Sequence, residues 1–485
     1  MKALYIPVSC LLLVTLAGAQ QPLFRTLDID AGAAESVQLS NGKRATVKLL
    51  AISDRRDKAR SAIREARAEV EINGSRATLS CGNYRLPAEV GGVQVDCTVT
   101  KAYYQNTNRD HWGLVKDARL RVWPAGSPFM PPGSMLYPVR QRWFASRTQM
   151  GNEPTYVDEG ERITTKKIYY HAGLDIGGAE GLTDVIAATD GLVVGLGTAV
   201  IDKVKENAAI DRELNDTIWV EDGRGWYHRY THLYSYDPSV KLGGRVVMGQ
   251  KIGTLGKEGG SGGWSHLHYE IISRQASGKM GTQEGYAFLW EAYQRQYKPR
   301  LIAVARPHQA ILAGEQATLD GSLSWSQSHI ARYDWTFTDG QTAAGAKVER
   351  SYSKAGTYSE ILRITDLDGR TAYDFETVNV LDPKHPAQVP PSIQAAFWPT
   401  MGIAPGKPVT FKVRTFGTTD GEEHWSFGDG ATATTKSDGN VDQHAKNGFA
   451  ITTHAFAKPG DYIVRVERTN RLGQAAMGHL WVHVD

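Results

Sequence analysis

At 485 residues the chain exceeds one ordinary hydrophobic core, so three or four domains are predicted. Hydrophobic residues at 41% and charged residues at 22% are globular composition. A formal charge of +3 from 55 basic and 52 acidic side chains gives no support for a nucleic-acid partner, and none is expected.

The N-terminus reads Met1-Lys2, then an uncharged, mostly apolar run over residues 3–16, then Ala17-Gly18-Ala19. That order of charge, apolar run and small-x-small site predicts a signal peptide (residues 1–19) cleaved after Ala19, hence a secreted or periplasmic protein. The alternative, an uncleaved anchor, is opposed by Pro7 and by the shortness of the run. Cys10 has no small-residue lipobox before it, and no later segment approaches a membrane span.

Residues 20–123 read as short strands and turns, an N-terminal β domain. Asn41-Gly42 and Asn73-Gly74 each lie between alternating apolar segments and predict two-residue hairpins. Val93, Val95, Cys97 and Val99 alternate, which places Cys97 on an apolar face like Cys81. In an oxidising compartment the two thiols are expected to pair, closing a loop of about 15 residues worth roughly 3 kcal/mol in the chain-entropy picture. The charged stretch over residues 55–67 is expected as a short helix or a mobile loop. His111, beside Trp112, is read as structural.

Prolines at 124, 128, 131 and 132 mark a linker over residues 124–134. Residues 135–300 then hold every chemical motif. In the order of the chain these are His171-Ala-Gly-Leu-Asp175, Ala187-Ala-Thr-Asp-Gly191, Tyr230-Thr-His232-Leu233 and a glycine-rich loop from Gly259 that runs into His266-Leu-His268-Tyr-Glu270. On an extended strand His266 and His268 share one side while Leu267, Tyr269 and Ile271 point to the other. Two imidazoles therefore face one cleft. Two His and one Asp form an N2O set suited to Zn2+ with a position left open for water. A polar insertion covers residues 200–215, between two strands. A helix is predicted over residues 287–297, where Leu289, Trp290, Tyr293 and Tyr297 recur at helical spacing and read as packing.

From residue 301 the texture repeats. Trp335-Thr-Phe337-Thr-Asp339-Gly340 is answered by Trp425-Ser-Phe427-Gly-Asp429-Gly430, and the Asp-Gly pairs read as hairpin turns. Two β-sandwiches are predicted, at residues 301–382 and 393–485, joined by a stiff proline linker at residues 383–392. A sandwich behind such a linker is expected to tether and to contribute no chemistry.

The central region resembles the lysostaphin- and LytM-type zinc metallopeptidases, family M23, because all four blocks stand in the family's order. The resemblance implies that His171, Asp175 and His268 are zinc ligands and that His232 and His266 are the catalytic histidines. It also implies cleavage of glycyl or D-amino-acid linkages in bacterial peptidoglycan. The two repeats resemble PKD domains, whose Trp-x-Phe-Gly-Asp-Gly motif is complete in the second copy and carries Thr338 in the first. The fold class expected is therefore mainly β and multidomain: an antiparallel β metallopeptidase domain flanked by an N-terminal β domain and two C-terminal β-sandwiches. The partner expected is peptidoglycan or an extracellular peptide, with Zn2+ as cofactor. The competing functions are a secreted zinc protease acting on extracellular protein and a non-catalytic M23-like regulator or adhesion module.

Overall fold

A computed structural model describes residues 20–156, 168–205, 216–385, 388–439 and 448–485. Residues 1–19, where a signal peptide is expected, and most of the polar insertion lie outside the described residues, as do residues 386–387 of the proline linker. The chain is mainly β, built of successive sheet units, and the described residues include a three-turn helix, Tyr286–Tyr297, and a short one, Lys101–Gln105. No helix among the described residues is long and apolar enough to cross a membrane.

In the N-terminal region two four-stranded sheets pack face to face. One runs in the order Arg25–Ile29, Ala118–Pro124, Val93–Thr100, Ala88–Val90, and the other is a meander from Ala34–Gln38 to Ser75–Ser80. Their inner faces supply Val47, Leu49, Val70, Val95, Val99 and Leu120, all fully buried. Asn73 and Gly74, at φ 49° and 83°, form a two-residue turn that sets Ile72 opposite Ser75. The Asn41-Gly42 turn is longer than predicted. Leu39 and Lys43 close it, and only Gly42 takes positive φ, so an extra residue is absorbed at the glycine.

Two other expectations in this region are corrected. The charged stretch is not a helix: its two ends lie in the paired strands Arg44–Arg56 and Ile63–Ile72 and residues 57–62 form the turn that joins them, with Ile63, Ala66 and Ala68 carrying a buried face that the charges had masked. The disulfide is not formed. Cys81 and Cys97 are buried thiols with sulfurs 3.0 Å apart, a hydrogen-bond distance where a covalent bond needs about 2.05 Å.

The central region holds an eight-stranded antiparallel sheet. Its main path runs Leu174–Gly177, His266–Arg274, Tyr227–Thr231, Ile218–Asp222, Gly191–Leu196 and Ala199–Val200. A three-stranded sheet of Asp184–Ile186, Lys251–Leu255 and Leu233–Tyr236 lies beside it. The helix closes the domain with Phe288, Leu289, Trp290 and Tyr293 buried. Residues 124–134 are not slack: the N–H groups of Phe129 and Met130 donate to the Glu291 carboxylate on that helix, at 3.2 and 3.0 Å.

Each C-terminal repeat is a two-layer sandwich with its motif tryptophan, Trp335 or Trp425, in the core. Asp339-Gly340 and Asp429-Gly430 lie in hairpin turns, with the Phe337 N–H donating to Gln341 O and the Phe427 N–H to Ala431 O. The two repeats are not held apart by their linker. Gly356–Asp366 lies alongside Ala475–Val484, with Thr357 opposite Ala476, so their sheets join. The second repeat also packs on the central domain, where Phe416 stacks on Trp264 at 4.5 Å and Lys412 Nζ donates to Glu180 Oε2 at 3.0 Å.

Arg119 lies in the N-terminal core with its guanidinium bidentate to Asp28, at 2.7 and 2.9 Å, both side chains under 5% exposed (1% and 4%). Removing one partner strands a buried charge. Asp28→Ala is therefore expected to cost about 3–5 kcal/mol, whereas Asp28→Leu combined with Arg119→Met should cost far less. Calorimetric unfolding of both variants checks this, and equal losses would refute it.

Candidate active site

The strand His266–Arg274 lies between Leu174–Gly177 and Tyr227–Thr231, and the antiparallel register sets Asp175 and Thr231 both opposite His268, with Gly177 opposite His266. Strand alternation does the rest: Leu267, Tyr269 and Ile271 are buried in the core behind the sheet, which leaves the two imidazoles on the other side. His171 reaches the same place from the turn before Leu174–Gly177. Gly173 permits that turn, since it sits at φ 79° and a Cβ there would lie 2.6 Å from the Tyr269 carbonyl oxygen.

Three donor atoms converge. His171 Nε2 is 3.0 Å from His268 Nδ1 and 3.0 Å from Asp175 Oδ1, which in turn is 2.8 Å from His268 Nδ1. The sequence-predicted ligands are thus the residues whose donor atoms cluster, a His-Asp-His site within which all ligand atoms lie less than 4.8 Å apart. The donor set fits a divalent transition metal. His171 Nδ1 faces the Met150 carbonyl at 3.3 Å, so its proton belongs there and Nε2 offers a lone pair to the cluster. Two imidazole nitrogens and a carboxylate oxygen about 3 Å apart match donors on a small ion at bonds of about 2.0–2.2 Å.

His266 and His232 stand beside this cluster with their rings 4.7 Å apart between centroids. His266 Nε2 is 3.4 Å from Asp175 Oδ1, while its Nδ1 faces the Trp264 carbonyl at 3.0 Å. His232 has an unusual backbone for a non-glycine residue, φ 67°, and is held there by one carboxylate. Asp216 Oδ2 accepts from the His232 N–H at 2.8 Å and faces Nδ1 at 3.0 Å, and the Glu258 carbonyl is 2.6 Å from the same Nδ1. Both rings therefore have Nδ1 against oxygen acceptors, and His266 turns its Nε2 toward Asp175 of the cluster.

Burial and charge act against each other here. Burial alone would raise the Asp175 carboxyl, but the His171 and His266 imidazoles hold it well below the usual carboxylate range. Burial pushes the His266 imidazole down to about 3, against the pull of Asp175, so this ring is neutral with its lone pair available. Burial would likewise raise Asp216, and the bonds from His232 outweigh it and lower it. The arrangement can bind a cation, present the neutral His266 imidazole beside it and hold one carboxylate ionised.

Sequence reasoning did not single out two supporting carboxylates. Glu270 belongs to the quoted motif, and the structure sets it 3.7 Å from His268 Nε2 and 3.2 Å from Arg229 Nη1, so it steadies the ring whose other nitrogen faces the cluster. Asp216 had no local signal: it follows the polar insertion, 16 positions before His232. Its place is visible in Gly259, where a Cβ would lie 2.7 Å from Asp216 Oδ2. His111 keeps to packing, edge-on to Trp112 and Tyr169, with its carbonyl accepting from the Thr282 N–H at 2.9 Å.

Residues 169–280 match the sequence profile of peptidase family M23, and residues 299–380 and 394–478 each match a PKD-domain profile. The chain carries an M23 peptidase domain and two PKD domains. A collagenase ColA from Clostridium perfringens is 30% identical over 83 residues, 17% of this chain and 8% of its own length. The chain thus spans less than a tenth of that relative. Among solved structures, a protein described as a glycyl-glycine endopeptidase LytM from Ruminococcus gnavus is 21% identical over 33% of this chain and 61% of its own, at a TM-score of 0.21. The PKD1 domain of the Vibrio cholerae metalloprotease PrtV is 28% identical over 17% of this chain and 98% of its own, at a TM-score of 0.15. Overlaps of that size concern parts of the chain only.

Because Asp216 touches His232 twice and no atom of the His-Asp-His cluster, Asp216→Ala is expected to leave metal content unchanged and to lower kcat at least 10-fold. Metal analysis beside steady-state kinetics tests this. Parallel loss of metal and activity would show that Asp216 supports the cluster itself.

Proposed function

We propose that the chain is a secreted zinc metalloendopeptidase that hydrolyses peptide bonds, with glycyl or D-amino-acid linkages of bacterial peptidoglycan as its substrate. The observation that carries this reading is the convergence of His171, Asp175 and His268 beside two further imidazoles whose Nδ1 atoms face oxygen acceptors. Zn2+ held by those three residues supplies Lewis acidity to a scissile carbonyl and to water. His266 Nε2 takes the proton of the attacking water, since Nδ1 faces the Trp264 carbonyl and the ring is neutral. His232, fixed by Asp216 and the Glu258 carbonyl, hydrogen-bonds the developing oxyanion or returns a proton to the leaving amine. The site has no His-Glu-x-x-His helix, so these imidazoles stand where zincins place a glutamate.

A second substrate, extracellular protein, is favoured by the part-length likeness to a collagenase. Digestion of purified peptidoglycan beside a glycine-rich protein separates the two. Release of new amino termini from peptidoglycan alone is the expected result, and release from the protein alone would reverse the order. A chain that binds no metal would support the non-catalytic alternative.

His268→Ala is expected to lose most of a stoichiometric zinc, because three ligands reduced to two cannot hold the ion. Stoichiometric zinc in that variant would remove His268 from the ligand set. His266→Ala should keep zinc and lower kcat by roughly 10²–10⁴-fold, the usual contribution of a positioned base. His232→Ala should behave alike, and the double variant should lose much less than the product of the single losses, because groups acting on one water act as a unit. Zinc lost from His266→Ala in step with activity would make His266 a fourth ligand instead.

A further inference from the structure

The peptide group joining Trp264 to Ser265 is hydrogen-bonded at both ends, and the two bonds lead to different domains. Its carbonyl oxygen, on Trp264, faces His266 Nδ1 at 3.0 Å. Its N–H, on Ser265, donates to Oε1 of Gln394 at 2.7 Å, and Gln394 Nε2 returns a bond to the Ser265 carbonyl, also at 2.7 Å. Gln394 belongs to the strand Ser392–Trp398 of the second PKD repeat. Its side chain therefore behaves as one rung of a β-ladder laid against the residue just before the histidine strand.

This contact is built and dry. Gln394 is 1% exposed and Ser265 0%, so no solvent replaces the rung if it is lost. Around it Phe416 stacks on Trp264 with the rings 10° apart, Arg414 Nη1 donates to the Gly263 carbonyl at 3.3 Å, and Ser146 Oγ donates to the Ala395 carbonyl at 2.7 Å. Three consecutive residues of the catalytic loop, 263 to 265, thus take a partner from the repeat.

We propose that Gln394 is a positioning residue of the peptidase site: through the Trp264-Ser265 peptide it holds His266 in the tautomer and orientation that leave Nε2 toward the metal ligands. A peptide is planar, so fixing the direction of its N–H fixes the direction of its carbonyl. An acceptor carbonyl whose own N–H is hydrogen-bonded is also the better acceptor, because the bonds polarise one another in a buried chain. The second repeat is in consequence part of the catalytic unit, in contrast to the tether that its linker predicts. The proposal rests on the peptidase reading of the site, but its first readout does not need turnover.

The test uses the full-length zinc-loaded protein with ¹⁵N-labelled histidine rings. Long-range ¹H–¹⁵N spectra should show His266 with its proton on Nδ1. Gln394→Met, which keeps the volume and removes both bonds, should blur that single tautomer, keep zinc stoichiometric, and lower kcat about 10- to 100-fold on a small soluble peptide with KM within about twofold. Gln394→Asn, one methylene too short, serves if the methionine variant does not fold. Gln394→Glu keeps an acceptor at the same reach and should retain the tautomer. Thr400→Val removes a different bond of the same interface, the one from the Arg142 N–H, and should leave tautomer and kcat as in the wild type.

A wild-type His266 protonated on Nε2 would overturn the proposal. So would a Gln394→Met protein with an unchanged His266 spectrum, or a kcat loss that Thr400→Val shares, since both place the effect in docking alone. A wild-type protein without any turnover would instead strike the peptidase reading, and the histidine spectra would still decide the part played by Gln394.

Discussion

The antiparallel ladder between Leu174–Gly177 and His266–Arg274 sets Asp175 opposite His268 and Gly177 opposite His266, and the chemistry of the molecule depends on that register. A slip of one residue would turn both imidazoles into the core and Leu267 and Tyr269 toward the cleft. The register is secured by what lies behind it, since Leu267, Tyr269 and Ile271 are buried in the same cluster as Leu174, Ile176 and Tyr230. Core packing and site geometry are two faces of one strand.

The second constraint is electrostatic. Ionised groups in a buried site persist only with partners, and neutral ones must find hydrogen bonds. Asp175 is ionised because imidazoles surround it, and Glu270 is held below its ordinary range because His268 and Arg229 outweigh the effect of burial. His266 is neutral because burial outweighs the pull of Asp175. Opposed effects on neighbouring groups yield an anionic carboxylate and a neutral imidazole within one cluster.

The domains around the site are joined by buried polar contacts as well as by apolar ones. Arg121, paired with Asp96 in the N-terminal region, donates to the Glu284 carbonyl at 2.7 Å just ahead of the central helix. At the opposite end of the chain, Lys412 of the second repeat and Lys257 of the peptidase domain share Glu180, each with its charge almost wholly buried. Such contacts are expensive to break from one side only, which makes docking specific. The Trp264 loop is consequently shaped by a domain more than a hundred residues downstream.

The residues that cluster were legible in the sequence, because residue type and strand alternation are local properties that put His266 and His268 on one face, while the choice of His171, Asp175 and His268 as the ligand set came from the resemblance of the four motif blocks to family M23. The central helix and the Asn73-Gly74 turn were legible for the same reason. The charged residues 55–67 misled, since charge at the start of a strand hides the alternation that begins at Ala66 and runs on through Ala68 and Val70. The extra residue at Asn41-Gly42 and the unbonded thiol pair depend on backbone angles and sulfur separation that composition does not specify. Asp216 beside His232 and Gln394 against Ser265 are contacts between residues 16 and 129 positions apart. Short-range pattern thus determined which imidazoles and which carboxylate could share one cleft. Only the packed tertiary structure decided which carboxylate steadies the second histidine and which domain holds the first, because partners so distant in the chain meet only when complete sheets dock.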